Sequence, residues 1–307
     1  MQKKIAITCG DPSGIGPEIL NKIITEGHLR ALSDYVSCTI FGLEAPQPPK
    51  GGAVYKNNIK FVTLPNLPSS SGAASFLLLK AAIEACMKGE FQGLVTGPIS
   101  KENWANDGFK YKGQTELLGE MTDSKPEMLF ATTGSFPWRV LLLTRHLAIK
   151  DVPEALTYAR FEEAVANLKN FLKEKYKIEN PKIALAGLNP HAGENGEIGF
   201  EEKLFWKDWA VKLGLSGPFS PDDIWYRAGR AYLQNQPQEF DVYLAPYHDQ
   251  ALPLIKTITN FQAVNVSIGL PFVRTSPDHG TAFNLVGTGK ADIKPFLEAI
   301  RLCVELS

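Results

Sequence analysis

The chain has 307 residues, 44% hydrophobic and 21% charged, enough apolar material for one or two cored domains that need no disulfide or metal staple. Lys and Arg number 32 against 33 Asp and Glu, a formal net charge of -1, which excludes chain-wide attraction to nucleic acid or to an anionic membrane. No apolar run approaches the roughly 20 residues of a membrane span, so neither nucleic acid nor membrane is expected as a partner.

In chain order, short runs rich in Val, Ile, Leu and Phe occupy 4–9, 36–42, 60–64, 93–96, 128–132, 139–144, 182–186, 241–245 and 263–268. Their apolarity is continuous rather than alternating, which suits strands buried on both faces. Helical patterns occupy 17–26, 73–88, 153–175, 200–213, 223–234 and 294–306; in the last, Phe296, Leu297, Ile300 and Val304 mark a core face. Strands alternating with helices give an α/β fold, and two lobes are expected. The turn-rich 64–72 and the stretch 149–153 read as connections. Cys9, Cys38, Cys86 and Cys303 are far apart and form no C-x-x-C pair. That argues against a disulfide framework or a thiolate zinc site. The apolar stretch after the basic start is too short for a signal peptide, and a cytoplasmic protein is expected.

Residues that follow strands in α/β proteins face the ligand crevice. After the first strand comes Gly10-Asp-Pro-Ser-Gly14-Ile-Gly16-Pro-Glu18, leading into a helix. Such a loop can present a helix N-terminus to an anion, or it can be a plain turn. It is not the dinucleotide fingerprint, because Ile19 stands where the third glycine is required. Three of the five histidines, His146, His191 and His248, also follow strands. Any one alone reads as a hydrogen-bonded loop histidine, but three at strand ends suit a shared divalent ion. Lys256, Asn265, Arg274, Asp278 and His279 follow, and Lys and Arg beside a metal suit a phosphorylated or carboxylated substrate. The Asp278–Ala282 turn and Gly287-Thr-Gly289 offer backbone amides to a nucleotide.

The blocks ITCGDPSGIGPEI, GLVTGPISKENW, Gly113-x-Thr115-Glu116, TRHL, LNPHAGE, YHDQALPLIK and LPFVRTSPDHGTA run nearly end to end. In them the chain resembles the 4-hydroxythreonine-4-phosphate dehydrogenase family of pyridoxal phosphate biosynthesis. GDPSGIGPE and DHGTA also resemble segments of isocitrate and isopropylmalate dehydrogenases. The resemblance implies two α/β/α lobes of that dehydrogenase type, placed at 1–120 plus 275–307 and at 121–274. The second would carry the metal histidines, and the active site would lie in the cleft between them. It implies that His146, His191 and His248 bind a divalent metal (Zn²⁺, or alternatively Co²⁺, Mg²⁺ or Mn²⁺). Gln114, Thr115, Lys256, Asn265 and Arg274 would hold the phosphorylated substrate, and Asp278, His279 and Gly280 would lie near NAD or NADP. Asp249 and Lys256 are the candidates for the catalytic base. A homodimer sharing residues across its interface is also implied.

The implied reaction is NAD-dependent oxidation of 4-phosphooxy-L-threonine to 2-amino-3-oxo-4-phosphooxybutanoate, which decarboxylates to 3-amino-2-oxopropyl phosphate. One position departs from the family pattern: the usual histidine before Thr115 is Gln114, which donates and accepts hydrogen bonds but carries no charge. It keeps open a dehydrogenase of 4-phospho-erythronate or 4-phospho-threonate. More distant alternatives are a phosphate acyltransferase and a non-catalytic metal- or phosphate-binding protein. The chain is short for the family, and the loop around 42–55 is where the length is expected to be lost.

Overall fold

In the computed structural model, which describes residues 2–30, 35–42, 44 and 58–307, the chain forms two units. One is Met1–Pro126 with Val264–Ser307, the other Glu127–Ala263. Most of the short loop around 42–55 lies outside the described residues.

The first apolar run is β1 (Lys3–Thr8), with Ile5, Ala6 and Ile7 fully buried. Helix α1 (Gly16–Thr25) follows, then β2 (Val36–Phe41) and β3 (Ile59–Val62). Helix α2 (Ser71–Met87) leads to β4 (Gly93–Thr96), and the short α3 (Lys101–Asn106) and α4 (Gln114–Thr122) close this stretch. The start of α2 is built locally: Ala73 N donates to the Asp107 carboxylate at 2.7 Å and to Ser70 Oγ at 3.5 Å, satisfying one of the open amides of the first turn.

The second unit begins with β5 (Glu127–Ala131) and β6 (Arg139–Leu142), an antiparallel pair. Then come α5 (Val152–Ala155), α6 (Tyr158–Phe171), β7 (Ile183–Ala186), α7 (Lys207–Leu213), β8 (Ser216–Phe219), α8 (Pro221–Leu233), β9 (Val242–Ala245) and α9 (His248–Thr259). The strand order is β5-β6-β9-β7-β8, parallel except at β5. Phe130, Trp138, Leu142, Trp225, Tyr243, Leu252 and Ile255 pack into its core, each large side chain contributing about 1.5–3 kcal/mol of burial. Glu127, 3% exposed, receives both arms of Arg160 at 2.5 Å. Arg160 Nε also donates to the Leu143 carbonyl at 2.8 Å, fastening α6 to the end of β6.

The chain then returns to the first unit with β10 (Val264–Ile268), β11 (Val273–Pro277) and α10 (Lys294–Leu306). β10 pairs antiparallel with β11, and β11 runs parallel to β4, giving the order β3-β2-β1-β4-β11-β10. The expected division at 121 and 275 therefore shifts to 127 and 264: β10 and β11 belong to the first sheet and carry Asn265 and Arg274 with them. The expected core face of α10 is buried, with Phe296 and Ile300 fully enclosed.

Several elements differ from the sequence expectation. The pattern over 153–175 is two helices, α5 and α6, because the chain leaves helical geometry at Leu156 and Thr157. β8 (SGPF) carries a Gly-Pro pair that argues against a strand, and it sits at the sheet edge where proline is tolerated. α9 contains Pro253, which hides a helix from a pattern search. No described helix is long and apolar enough to cross a membrane.

All four cysteines are buried thiols outside any disulfide, and burial pushes the thiols of Cys9, Cys38 and Cys86 up to about 12. A folded thiol held above its unfolded value keeps its proton while the unfolded chain loses it. These groups therefore stabilise the fold below about pH 8.5, and that stabilisation is lost as pH climbs toward 12. We expect no rapid thiol release with a disulfide reagent on the native protein at pH 8, all four thiols after denaturation, and a fall in melting temperature above pH 9. Fast native reaction would show that these sites open.

Candidate functional site

The loop after β1 is closed on itself. Asp11, fully buried, accepts from Ser13 N at 2.9 Å, Ser13 Oγ at 2.6 Å and Asn103 Nδ2 at 2.8 Å. Ile15 N donates to Thr281 O at 3.0 Å, Pro17 has no amide proton, and Glu18 lies in the first turn. A Cβ on Gly16 would stand 1.9 Å from Cys9 O, so only glycine lets the helix start this near the strand. Of the two readings of this loop, an anion seat or a plain turn, the bonds of Ser13 and Gly14 to Asp11 and of Ile15 to Thr281 describe a self-braced turn. The loop buttresses the Asp278–Ala282 turn, as the Ile15–Thr281 bond shows.

The second loop expected to receive a nucleotide is also spoken for. Gly287 N donates to Glu18 at 2.8 Å and Thr288 N to Leu285 O at 3.1 Å, while Lys22 Nζ reaches Gly289 O at 3.0 Å. The Gly287 amide and the Gly289 carbonyl thus tie the segment to α1, while the Thr288 amide closes its own turn. At the neighbouring turn, His279 Nδ1 lies 3.0 Å from Gly280 O, and Gly280 is exposed with open space beside its Cα.

Arg274 is the most informative residue of the first unit. It is the second residue of β11, only 3% exposed. Its Nε and Nη2 donate to Thr96 Oγ1 at 3.1 and 2.6 Å, its Nη1 to Ser267 Oγ at 3.0 Å, and its Nη2 to Gln114 Oε1 at 2.7 Å. Gln114 Nε2 donates in turn to Gly97 O at 2.9 Å. Every one of these partners is neutral. Burial lowers the guanidinium pKa from its ordinary value to about 10, and no neighbouring charge offsets that. Thr115 adjoins Gln114 in the first turn of α4. Asn265, two residues before Ser267 on β10, has a buried Oδ1 without a hydrogen-bond partner among the described residues.

The histidines are in the second unit. His146 and His248 are neighbours, with ring centroids 5.8 Å apart. His248 opens α9, and its Nδ1 lies 2.5 Å from Asp249 Oδ1, which leaves Nε2 as its other ring donor. His191 stands apart: its Nδ1 is 3.8 Å from Asp222 Oδ1. Among the described residues no three His, Cys, Asp or Glu side chains gather closely enough to hold an ion. The expected three-histidine set is therefore present as a pair with a separate third member. The donor chemistry still fits a divalent cation, since paired imidazoles backed by a carboxylate on the other ring nitrogen are a common ligand arrangement.

His191 sits on an unusual segment. His191, Ala192, Glu194 and Asn195 all have positive φ (52°, 52°, 43° and 57°), with Gly193 among them at 78°. A Cβ on Gly193 would meet Gly199 O at 2.7 Å. Left-handed backbone costs roughly 1–2 kcal/mol per non-glycine residue, so something must hold it. Glu202, fully buried, accepts from Asn189 N at 2.8 Å and Asn189 Nδ2 at 2.9 Å, and Glu201 accepts from Asn189 Nδ2 at 2.8 Å. Lys256 lies two turns along α9 from His248, its Nζ 5.6 Å from the centroid of the Phe261 ring.

Of the expected substrate residues the structure brings Gln114 and Arg274 together, and of the three expected metal histidines it brings His146 and His248 together, with Asp249 beside His248. Sequence reasoning missed Thr96, Ser267 and Glu202. Thr96 had a usable signal, being the last residue of an apolar strand where a polar side chain faces the crevice. Ser267 and Glu202 had none, because their roles come from tertiary contacts.

The family model for pyridoxal phosphate biosynthetic protein PdxA matches residues 19–303. The chain is 40% identical over 336 residues to the 4-hydroxythreonine-4-phosphate dehydrogenase of Synechococcus sp. (strain JA-3-3Ab), covering 99% of this chain and 94% of that one. It matches the crystal structure of 4-hydroxythreonine-4-phosphate dehydrogenase from Klebsiella pneumoniae with a TM-score of 0.81 at 29% identity, over 100% and 98% of the two chains. A beta-decarboxylating dehydrogenase from Thermococcus kodakarensis shares the fold alone, with a TM-score of 0.55 at 13% identity over 99% and 84%. The chain belongs to the PdxA family of pyridoxal phosphate biosynthetic proteins.

Proposed function

We propose that this chain is a 4-hydroxythreonine-4-phosphate dehydrogenase. It oxidises the C3 hydroxyl of 4-phosphooxy-L-threonine with NAD, and the β-keto acid product loses CO₂ to give 3-amino-2-oxopropyl phosphate for pyridoxine 5′-phosphate synthesis. Within the family frame, the observation that carries the reading is Arg274, a buried cation whose partners are all neutral. Such a group is costly unless an anion completes it, and a phosphate ester is that anion.

Each residue then has a task. Arg274 takes the phosphate, with Thr115 at the start of α4 beside it. The unpartnered Oδ1 of Asn265 accepts from the substrate's amino or hydroxyl group. His146 and His248 would supply two ligands for a divalent ion, Zn²⁺ or alternatively Co²⁺, Mg²⁺ or Mn²⁺, with His191 as the third donor if its loop brings it to the ion. When bound, the ion would lower the pKa of the substrate hydroxyl and the nicotinamide would supply the hydride acceptor. Asp249 is engaged by His248 Nδ1 and so orients that imidazole, leaving Lys256 to exchange the hydroxyl proton. Asp278, His279 and Gly280 form the turn that receives the cofactor. A second copy of the chain is the protein partner, and the exposed apolar side chains of Phe200, Leu204, Phe205 and Val211 are a surface it would cover.

Gln114 supports a second reading, dehydrogenation of 4-phospho-erythronate or 4-phospho-threonate, in which a hydroxyl replaces the amine. The deciding experiment is NADH formation by the purified protein with added Zn²⁺ on 4-phosphooxy-L-threonine and on 4-phospho-D-erythronate. A higher kcat/KM for the amino acid is expected. A preference for the hydroxy acid would move the enzyme to that second substrate class, and inactivity on both would overturn the dehydrogenase reading.

A further inference from the structure

We propose that Gln114, with Thr96 and Ser267, is a positioning residue that holds Arg274 in a collar of neutral oxygens, keeping the guanidinium charge available for the substrate's phosphate. The identity of that phosphate ester rests on the dehydrogenase reading, whereas the collar rests on geometry alone.

A guanidinium has five N–H donors. Nε engages Thr96, Nη2 engages Thr96 and Gln114, and Nη1 engages Ser267. One Nη1 proton is left, together with the whole positive charge. A buried arginine is ordinarily met by a carboxylate, and the collar positions could have supplied one: glutamate is isosteric with Gln114. Instead the three members orient the fork while none cancels its charge. The lowered pKa of Arg274, with burial as its sole cause, agrees with this.

Gln114 has the second half of the task. Its Oε1 accepts from Arg274 and its Nε2 donates to the carbonyl of Gly97, the residue directly after β4. An amide is the side chain that can accept from a cation on one atom and donate to a backbone carbonyl on the other without itself carrying charge. Gln114 therefore acts through Arg274. Substitution there alters how the enzyme holds the phosphate and leaves the reacting carbon untouched, which predicts an effect on KM rather than on kcat.

The test compares wild type, Gln114→Ala and Gln114→Glu as full-length protein, using calorimetric binding of inorganic phosphate, steady-state kinetics on 4-phosphooxy-L-threonine, and thermal melting. Gln114→Ala removes one hydrogen bond to a charged group, and phosphate affinity is expected to fall roughly tenfold with a lower melting temperature. Gln114→Glu keeps the shape but places a carboxylate on Arg274. Phosphate affinity is expected to fall about a hundredfold and KM to rise in step, with kcat within about threefold and a melting temperature equal to or above wild type. Weaker binding in a protein that is no less stable is the signature that a purely structural role would not produce. Phosphate affinity of Gln114→Glu within about threefold of wild type, or a loss seen only alongside a lowered melting temperature, would overturn the collar. Altered phosphate binding in a protein that forms no NADH would sustain the collar and remove the dehydrogenase reading. Normal NADH formation with an indifferent Gln114→Glu would do the reverse.

Discussion

Arg274→Met is expected to raise KM for the phosphorylated substrate by at least about a hundredfold while leaving the protein as stable as before or more so. The two halves of that result have one origin. The guanidinium is 3% exposed and its partners Thr96, Ser267 and Gln114 are uncharged, so the fold bears the desolvation of a cation without the return of an ion pair. Methionine fills a similar volume without charge, and the vacated oxygens lose about 1–3 kcal/mol of hydrogen bonding against a comparable or larger relief. Steady-state kinetics and thermal melts on the same preparation check both. Arg274→Lys retains the charge but loses the fork that spans Thr96 and Ser267, and an increase in KM of about tenfold is expected. An unchanged KM in either variant would place Arg274 away from the substrate.

His248→Ala is expected to weaken Zn²⁺ binding by more than about a hundredfold and to reduce turnover in proportion, with His146→Ala close behind. Their rings are neighbours at 5.8 Å, so each variant leaves a single imidazole at the pair. Asp249→Asn keeps both ligands and disturbs only the partner of His248 Nδ1. Its loss in Zn²⁺ affinity is expected to be smaller, about ten- to a hundredfold. His191→Ala separates two arrangements of the third donor. A loss equal to that of His248→Ala means the loop brings His191 to the ion, whereas unchanged affinity and turnover at limiting metal mean that it does not. Competition with a zinc-sensitive dye measures all four without relying on catalysis. Full activity after exhaustive chelation would remove the metal from the reaction altogether.

The α/β alternation was legible because most strands are continuous apolar runs: β1, β4, β7 and β9 are Val-, Ile-, Leu- and Ala-rich and buried almost throughout. β11 was not, although all five of its residues are buried. Its sequence, VRTSP, reads as a polar loop, because Arg274, Thr275 and Ser276 are polar side chains that the fold nevertheless buries. Those polar residues obscured the strand, and the boundary between the two units was drawn at 275 where the compact unit begins at Val264. α4 and α9 were missed for related reasons. α4 starts on Gly113 and Gln114, with no side-chain cap to announce it, and α9 carries Pro253. Individual site residues were legible by type and by following a strand; their partners were not. Nothing local in the chain pairs Gln114 with Arg274, 160 positions away, or sends the Gly287 amide to Glu18 instead of to a ligand.

The left-handed stretch from His191 to Asn195 has a consequence for anyone transplanting pieces of this protein. Its conformation is imposed from outside, by the Glu201 and Glu202 carboxylates gripping Asn189, and L-amino acids relax out of it once that grip is gone. A synthetic peptide copying Asn189–Asn195, or the same residues grafted onto a foreign loop, would present the histidine in a right-handed or extended backbone and aim it elsewhere. The portable unit is the loop together with the opening of the following helical segment, so that the motif a sequence search would extract is shorter than the motif that holds its shape.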